Sequence, residues 1–117
     1  VTVTNTFFRS EHTESDGVTH GYHTGADLAQ STNYNLLAIG MGNGSDESTA
    51  GELHIFNPSS TTYVKHFISR TIAYFNTSAA LDSHLAGYFN TTSAIDAVNF
   101  KMDSGNFDGT IKMWGVK

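Results

Sequence analysis

Short runs in which apolar and polar residues alternate constrain this chain more than any other feature. The pattern is clearest near the end of the sequence, where apolar side chains take every second position in segments 98–102 and 111–113. A period of two places successive side chains on opposite faces of a β-strand, whereas a helix needs a period near 3.6. The turn-forming sequence Asp-Ser-Gly-Asn at 103–106 separates the two segments. We therefore predict a terminal hairpin and a helix content below about 15%, well under the usual third.

Other segments have the composition of strands and end at turn-forming residues. Residues 34–41 form a compact apolar run that is typical of a strand buried on both sides. Leu53 and Ile55 share one face of a strand that ends at Asn57 and Pro58, because proline has no N–H to donate to a sheet. The further strand candidates are residues 1–8, residues 63–76 as one strand or two, and residues 85–89 after a segment at 78–83 that can form one helical turn.

Residues 9–30 are the polar exception, with four acidic residues and three histidines. We interpret them as a long surface loop that contains one edge strand around Val18–His23. The whole chain of 117 residues then has about eight short strands joined by polar turns. This predicts an all-β fold: an antiparallel, jelly-roll-like β-sandwich formed by residues 1–117 as a single domain.

Composition and charge exclude several classes of protein. The formal net charge is −5, and the six Lys and Arg residues are scattered, so no basic stripe is available to bind nucleic acid. No apolar run approaches the ~20 residues that span a bilayer, so we expect no membrane partner. Cysteine is absent, which excludes disulfides, thiolate catalysis and Cys-ligated zinc.

Histidines and carboxylates do not form a recognisable catalytic or metal-binding motif. His20 and His23 would point to opposite faces of a strand, and zinc needs three or four converging ligands. The close carboxylate pairs lie in Gly-rich turns, where Asp is favoured for backbone reasons. The sequence also has no Gly-x-Ser-x-Gly elbow and no Gly-x-Gly-x-x-Gly turn. We therefore expect no catalytic residues, no metal and no cofactor, and a protein that is not an enzyme.

The aromatic residues allow two interpretations. Five tyrosines and Trp114 can form a stacking platform for sugars, but most aromatic side chains of a small sandwich belong to its core. The predicted core aromatics are Phe7, Phe67, Phe75, Phe100 and Phe107. The candidate interface or ligand contacts are Trp114, Tyr34 and Tyr88. Apolar residues on both faces of segment 34–41 further predict that the protein forms a symmetric homo-oligomer.

The terminal segment 96–117 resembles the carboxy-terminal hairpin of a family of tailed-bacteriophage virion proteins. Members of that family typically end in a Ser-Gly-Asn turn, then Gly-Thr and a final strand close to Leu-Tyr-Gly-Ile-Lys. This chain has Ser-Gly-Asn at 104–106, Gly-Thr at 109–110 and Met-Trp-Gly-Val-Lys at 113–117. The segment 51–60, Gly-Glu-Leu-His-Ile-Phe-Asn-Pro-Ser-Ser, is also similar to the family, and the resemblance covers roughly residues 33–117.

The resemblance implies a β-sandwich displayed on a virus particle, commonly assembled around a threefold axis. The expected function is that of a structural component of the virion: a tail-fibre or head-fibre module, or a capsid decoration protein. Its partners would be other copies of itself, as a homotrimer, and other virion proteins. Family members are often longer, so the chain corresponds either to the carboxy-terminal part of a fibre or to a small capsid accessory. The alternatives are a carbohydrate-binding module, which can coincide with a fibre tip that binds a host surface glycan, and a metal-assisted hydrolase built on the histidine-rich loop.

Overall fold

Six strands form one antiparallel sheet in the computed structural model, which describes residues 1–116. The strands are β1 (Val3–Thr13), β2 (Val18–Tyr22), β3 (Leu28–Ser31), β4 (Thr49–Ile55), β5 (Lys65–Phe75) and β6 (Ala79–Phe89). Their order across the sheet is β2-β1-β6-β5-β4, and β3 pairs with β1 as well. Residues 1–116 contain no helix, and hence none that is long and apolar enough to cross a membrane. The all-β, antiparallel part of the sequence prediction is confirmed.

The three longest strands, β1, β5 and β6, form the centre of the sheet, with 11 residues each. β5 and β6 are joined by a tight turn in which Ser78 takes a φ of 58° and donates its N–H to the carbonyl of Phe75. A residue in the left-handed region at the end of a three-residue loop is a common way to close a hairpin. β6 therefore starts at Ala79, and the predicted helical turn at 78–83 is wrong.

One face of the sheet is covered and contains the core. The odd-numbered residues of the central strands point to this face, where Phe7 and Leu85 pack against Ala26, Leu37 and Ile39. The buried apolar side chains among residues 1–116 are Val3, Phe7, Ala26, Phe67, Ala73, Ala79, Leu81 and Leu85. The predicted core positions of Phe7 and Phe67 are thus confirmed. Phe75 and Phe100 are half-buried, and the prediction for Phe107 is wrong because this side chain is 46% exposed.

The covering layer includes segment 34–41, which was predicted to be a strand. It crosses the covered face without a ladder, apart from one isolated bridge between Met41 and Phe75. The carbonyl of Leu37 accepts a hydrogen bond of 2.6 Å from the Thr71 hydroxyl, so a side chain replaces the expected strand partner. Leu37 and Ile39 of the run pack on the core without strand pairing, whereas Tyr34 and Leu36 are 53% and 38% exposed.

The opposite face of the sheet has no covering layer within residues 1–116. We call it the open face; it is formed by the even-numbered residues of β1, β2, β4, β5 and β6, as the cross-strand register requires. Its apolar members include Phe8, Ile68, Ile72 and Tyr74, which are 37–55% exposed. A second sheet, which a sandwich needs, is not found in the described part of the chain, and its strands number six instead of about eight.

The carboxy-terminal segment, residues 90–116, contains no strand. Its first part is held to the rest of the chain, because the N–H of Ile95 bonds the carbonyl of Pro58 and Asn99 donates to the hydroxyl of Tyr34. The terminal apolar side chains are exposed: Ile111 55%, Met113 77%, Trp114 76% and Val116 94%. The predicted hairpin is therefore not formed. Alternation fixes which side chains share a face, but a strand also needs a neighbouring edge.

Candidate binding surfaces

A polar network crosses the open face from β5 to β2. Arg70 on β5 forms a bidentate ion pair with Asp82 on β6, through contacts of 3.0 and 2.9 Å. His84 lies 3.2 Å from the same carboxylate and stacks on Phe8, with ring centres 4.8 Å apart. Phe8 in turn forms a T-shaped ring pair with His20 on β2, with ring centres 6.3 Å apart. The register places these side chains in adjacent positions across four strands, so the sheet itself holds them in place.

The Arg70 guanidinium holds the pKa of Asp82 below its ordinary value of 3.8, with a smaller contribution from His84. Because the folded-state pKa is the lower one, the pair stabilises the fold above the unfolded pKa. This stabilisation is lost as the pH falls through the folded-state value. Arg70 is 60% exposed, so solvent screening limits the effect.

We expect Asp82→Asn to lower the free energy of unfolding at pH 7 by about 0.5–1 kcal/mol, the upper range for an exposed pair. Urea unfolding at pH 7 and at successively lower pH measures the effect, and the difference from the parent should shrink as the pH falls. Asp96→Asn is the matched control, since it makes the same charge change at an exposed position outside the strands. An equal loss in both variants, or a loss that does not shrink as the pH falls, would contradict the assignment.

Five of the six histidines lie on the open face: His12, His20, His54, His66 and His84. His23 lies on the other side of β1, where its ring contacts that of Phe7. His20 and His23 thus point apart, as the sequence predicted. Within residues 1–116, no three His, Asp or Glu side chains come close enough together to hold a metal ion.

A groove of about 360 Å³ lies at one end of the open face. Its floor is formed by Thr4, Thr6 and Ala86, and its walls include Tyr22 and Tyr88. The connection from β2 to β3 closes one side and contributes Asp27, whose Oδ2 accepts a hydrogen bond of 2.8 Å from the Tyr22 hydroxyl. This hydrogen bond raises the pKa of Tyr22, with smaller contributions from desolvation and the Asp27 charge, so the phenol stays protonated.

Gln30 fixes the polar end of this groove. Its side-chain amide donates to the hydroxyls of Thr4, at 2.8 Å, and Tyr88, at 3.2 Å. Its carbonyl accepts a hydrogen bond of 2.7 Å from Asn90, and its backbone N–H also bonds Thr4. Gln30 takes a φ of 48°, which is uncommon for a non-glycine residue. The three side-chain hydrogen bonds orient the amide.

The three contact residues predicted from the sequence lie in different parts of the molecule. Tyr88 lines the groove, Tyr34 lies in the covering segment with Lys101 Nζ 4.3 Å from its ring centre, and Trp114 is in the carboxy-terminal segment. No aromatic contact joins them within residues 1–116. Sequence reasoning missed Asp27 and Gln30, because only the pairing of β3 with β1 brings them to Tyr88.

No protein-family model matches the chain, and comparisons with curated proteins and with solved structures give no significant match.

Proposed function

We propose that the protein is a structural component of a bacteriophage particle, either a fibre module or a capsid decoration protein. It acts as a closed homo-oligomer, with a trimer as the expected state, and contacts other virion proteins. Two apolar surfaces that have no partner within residues 1–116, the open face and the end of the carboxy-terminal segment, carry this proposal. The resemblance of residues 33–117 to phage virion proteins indicates where such a module would work.

Each of the two surfaces exposes apolar side chains that a second copy can cover. Phe8, Ile68 and Ile72 on the open face lack a covering layer within the described chain, and Met113 and Trp114 lack a strand partner. Exposed apolar area of this kind favours association, because its removal from water contributes about 25 cal/mol per Å². A second copy carries both surfaces, and in a closed symmetric assembly every copy makes the same contacts.

Association also accounts for the β-sandwich that the alternating sequence predicts. A sandwich needs a second layer on the open face, and in this proposal the terminal segments of neighbouring copies supply part of that layer. Segment 109–116 keeps the alternation of a strand and contains one lysine and no acidic residue. The edge strand β4 and the loop before it contain Asp46, Glu47 and Glu52, so their charge is complementary to that segment.

Light scattering of the full chain at micromolar concentration tests the proposal, and we expect the mass of three chains. Trp114→Ala should raise the dissociation constant about 10- to 100-fold, as loss of a buried aromatic contact does at an interface. Tyr63→Ala is the matched control, because Tyr63 is 71% exposed in the loop between β4 and β5. A monodisperse monomer for the parent chain, or equal effects of the two substitutions, would contradict association through these surfaces.

The location on the particle needs a separate experiment. Antibodies raised against the purified chain should label intact phage particles in electron micrographs, on fibres or regularly over the capsid. Labelling confined to lysed cells, with none on purified particles, would argue against a virion component.

A further inference from the structure

We propose that the groove between Tyr22 and Tyr88 binds an uncharged hexopyranose unit of a surface glycan. This goes beyond a structural role in a particle, and it requires that neighbouring copies leave this end of the open face uncovered. It follows from the shape of the groove, the chemistry of its walls and the hydrogen-bonding groups that remain free in it.

The dimensions suit a single sugar ring. The groove's volume, about 360 Å³, is at the lower end of the roughly 300–1,000 Å³ found for small-molecule sites. Its floor consists of small side chains on adjacent strands, Thr6 and Ala86, which are directly paired in the sheet. A floor built on paired strands is rigid, so the groove is largely formed before a ligand binds.

The walls match the two-sided chemistry of a sugar. A hexopyranose has an apolar C–H face and a rim of hydroxyl groups, and tyrosine combines an apolar ring with a polar hydroxyl. Tyr22 is 55% exposed, and its hydroxyl is tied to Asp27, which leaves the ring available for stacking. Tyrosine also has few rotatable bonds, so little conformational entropy is lost when it binds a ligand.

The polar groups offer both donors and acceptors. Asp27 uses Oδ2 for Tyr22, so its Oδ1 can accept a hydrogen bond from a sugar hydroxyl. Thr4 and Tyr88 both accept from Gln30, which leaves their own hydroxyl protons free for donation. Because Asn90 and the backbone hold the Gln30 amide, these donors are oriented in advance.

The charge of the groove selects a neutral ligand. Among residues 1–116, Asp27 is the one carboxylate that lines it, and none of its lining residues is Lys or Arg. A phosphate or carboxylate would meet the Asp27 charge without a cation to balance it. A polyhydroxylated, uncharged ring requires no such balance, and it uses the carboxylate as an acceptor.

Saturation-transfer difference NMR on the full chain tests the proposal with defined probes. The neutral probes are N-acetylglucosamine and the methyl α-glycosides of glucose, mannose and galactose. N-acetylneuraminic acid is the charged comparison. We expect at least one neutral sugar to bind with a millimolar dissociation constant. Any other neutral sugar that binds should compete with it. The charged sugar should bind more weakly, and tighter binding of it would overturn the assignment.

Substitutions locate the site. Tyr22→Ala should weaken binding at least tenfold, and so should Thr4→Val, which keeps the shape of a strand residue while it removes the hydroxyl. Tyr63→Ala is the control, since it removes an exposed tyrosine outside the groove. Circular dichroism of each variant checks the fold. The proposal fails if no neutral sugar binds at tens of millimolar, or if Tyr22→Ala and Tyr63→Ala bind alike. Neither result would alter the light-scattering test of association.

Discussion

Replacing Phe7 with alanine should lower the free energy of unfolding by about 3–5 kcal/mol, the range for truncating a buried aromatic side chain. Phe7 is fully buried and stands at the centre of the cluster with Ala26 and Leu85. The buried apolar side chains of the described chain number eight, and three of them are alanines, so few large groups contribute to the core. Because a domain of this kind is stable by only about 5–15 kcal/mol, the loss is a large share of the total.

Phe8→Ala is the matched control, because Phe8 is the next residue of the same strand and lies on the open face with 40% exposure. Its loss should be about 0.5–1.5 kcal/mol, mainly from the ring stacked on His84. Urea unfolding of both variants is measured at a protein concentration where light scattering gives the mass of one chain, since association would cover the open face and add stability by mass action. Losses of the same size would mean that β1 is buried equally on both faces, contrary to the open face described above.

The alternation of apolar and polar residues and the position of proline explain which parts of the fold could be predicted from the sequence. Alternation reports which residues share a face, and it correctly indicated that Leu53 and Ile55 lie together. The edge strand predicted around Val18–His23 is observed as β2, but the long surface loop predicted for residues 9–30 is wrong, because its ends belong to β1 and β3. The end of β4 before Pro58 could also be predicted, since proline cannot donate to a sheet. These features depend on local chemistry alone.

Features that depend on distant partners could not be predicted in the same way. Segment 34–41 and the hairpin of residues 98–113 were both predicted to form strands, yet the first packs on the covered face and the second finds no edge to pair with. The groove could not be predicted from the sequence for the same reason. Thr4, Asp27 and Tyr88 come together through the pairing of β1 with both β3 and β6, and no local pattern specifies that arrangement.

Gly40→Ala should lower the free energy of unfolding by about 2–4 kcal/mol, from left-handed backbone strain and displaced packing together. Gly40 takes a φ of 62°, and a Cβ at this position would overlap the ring of Phe75. The carbonyl of Gly40 also accepts a hydrogen bond of 2.9 Å from the N–H of Asn76, so the backbone cannot simply move away. The substitution should therefore weaken the packing of the covering segment against the β5–β6 hairpin.

Comparison with Gly105→Ala separates the loss of packing from the backbone strain. Gly105 has a similar φ of 72°, but a Cβ there would have no atom within 4 Å. Its substitution should therefore cost only the backbone strain, about 1–2 kcal/mol at most. Thermal and urea unfolding of the two variants give the difference, which measures how tightly segment 34–41 is fixed on the covered face. If Gly40→Ala costs no more than Gly105→Ala, Phe75 does not hold that segment in place, and the covered face is more loosely closed than its burial indicates.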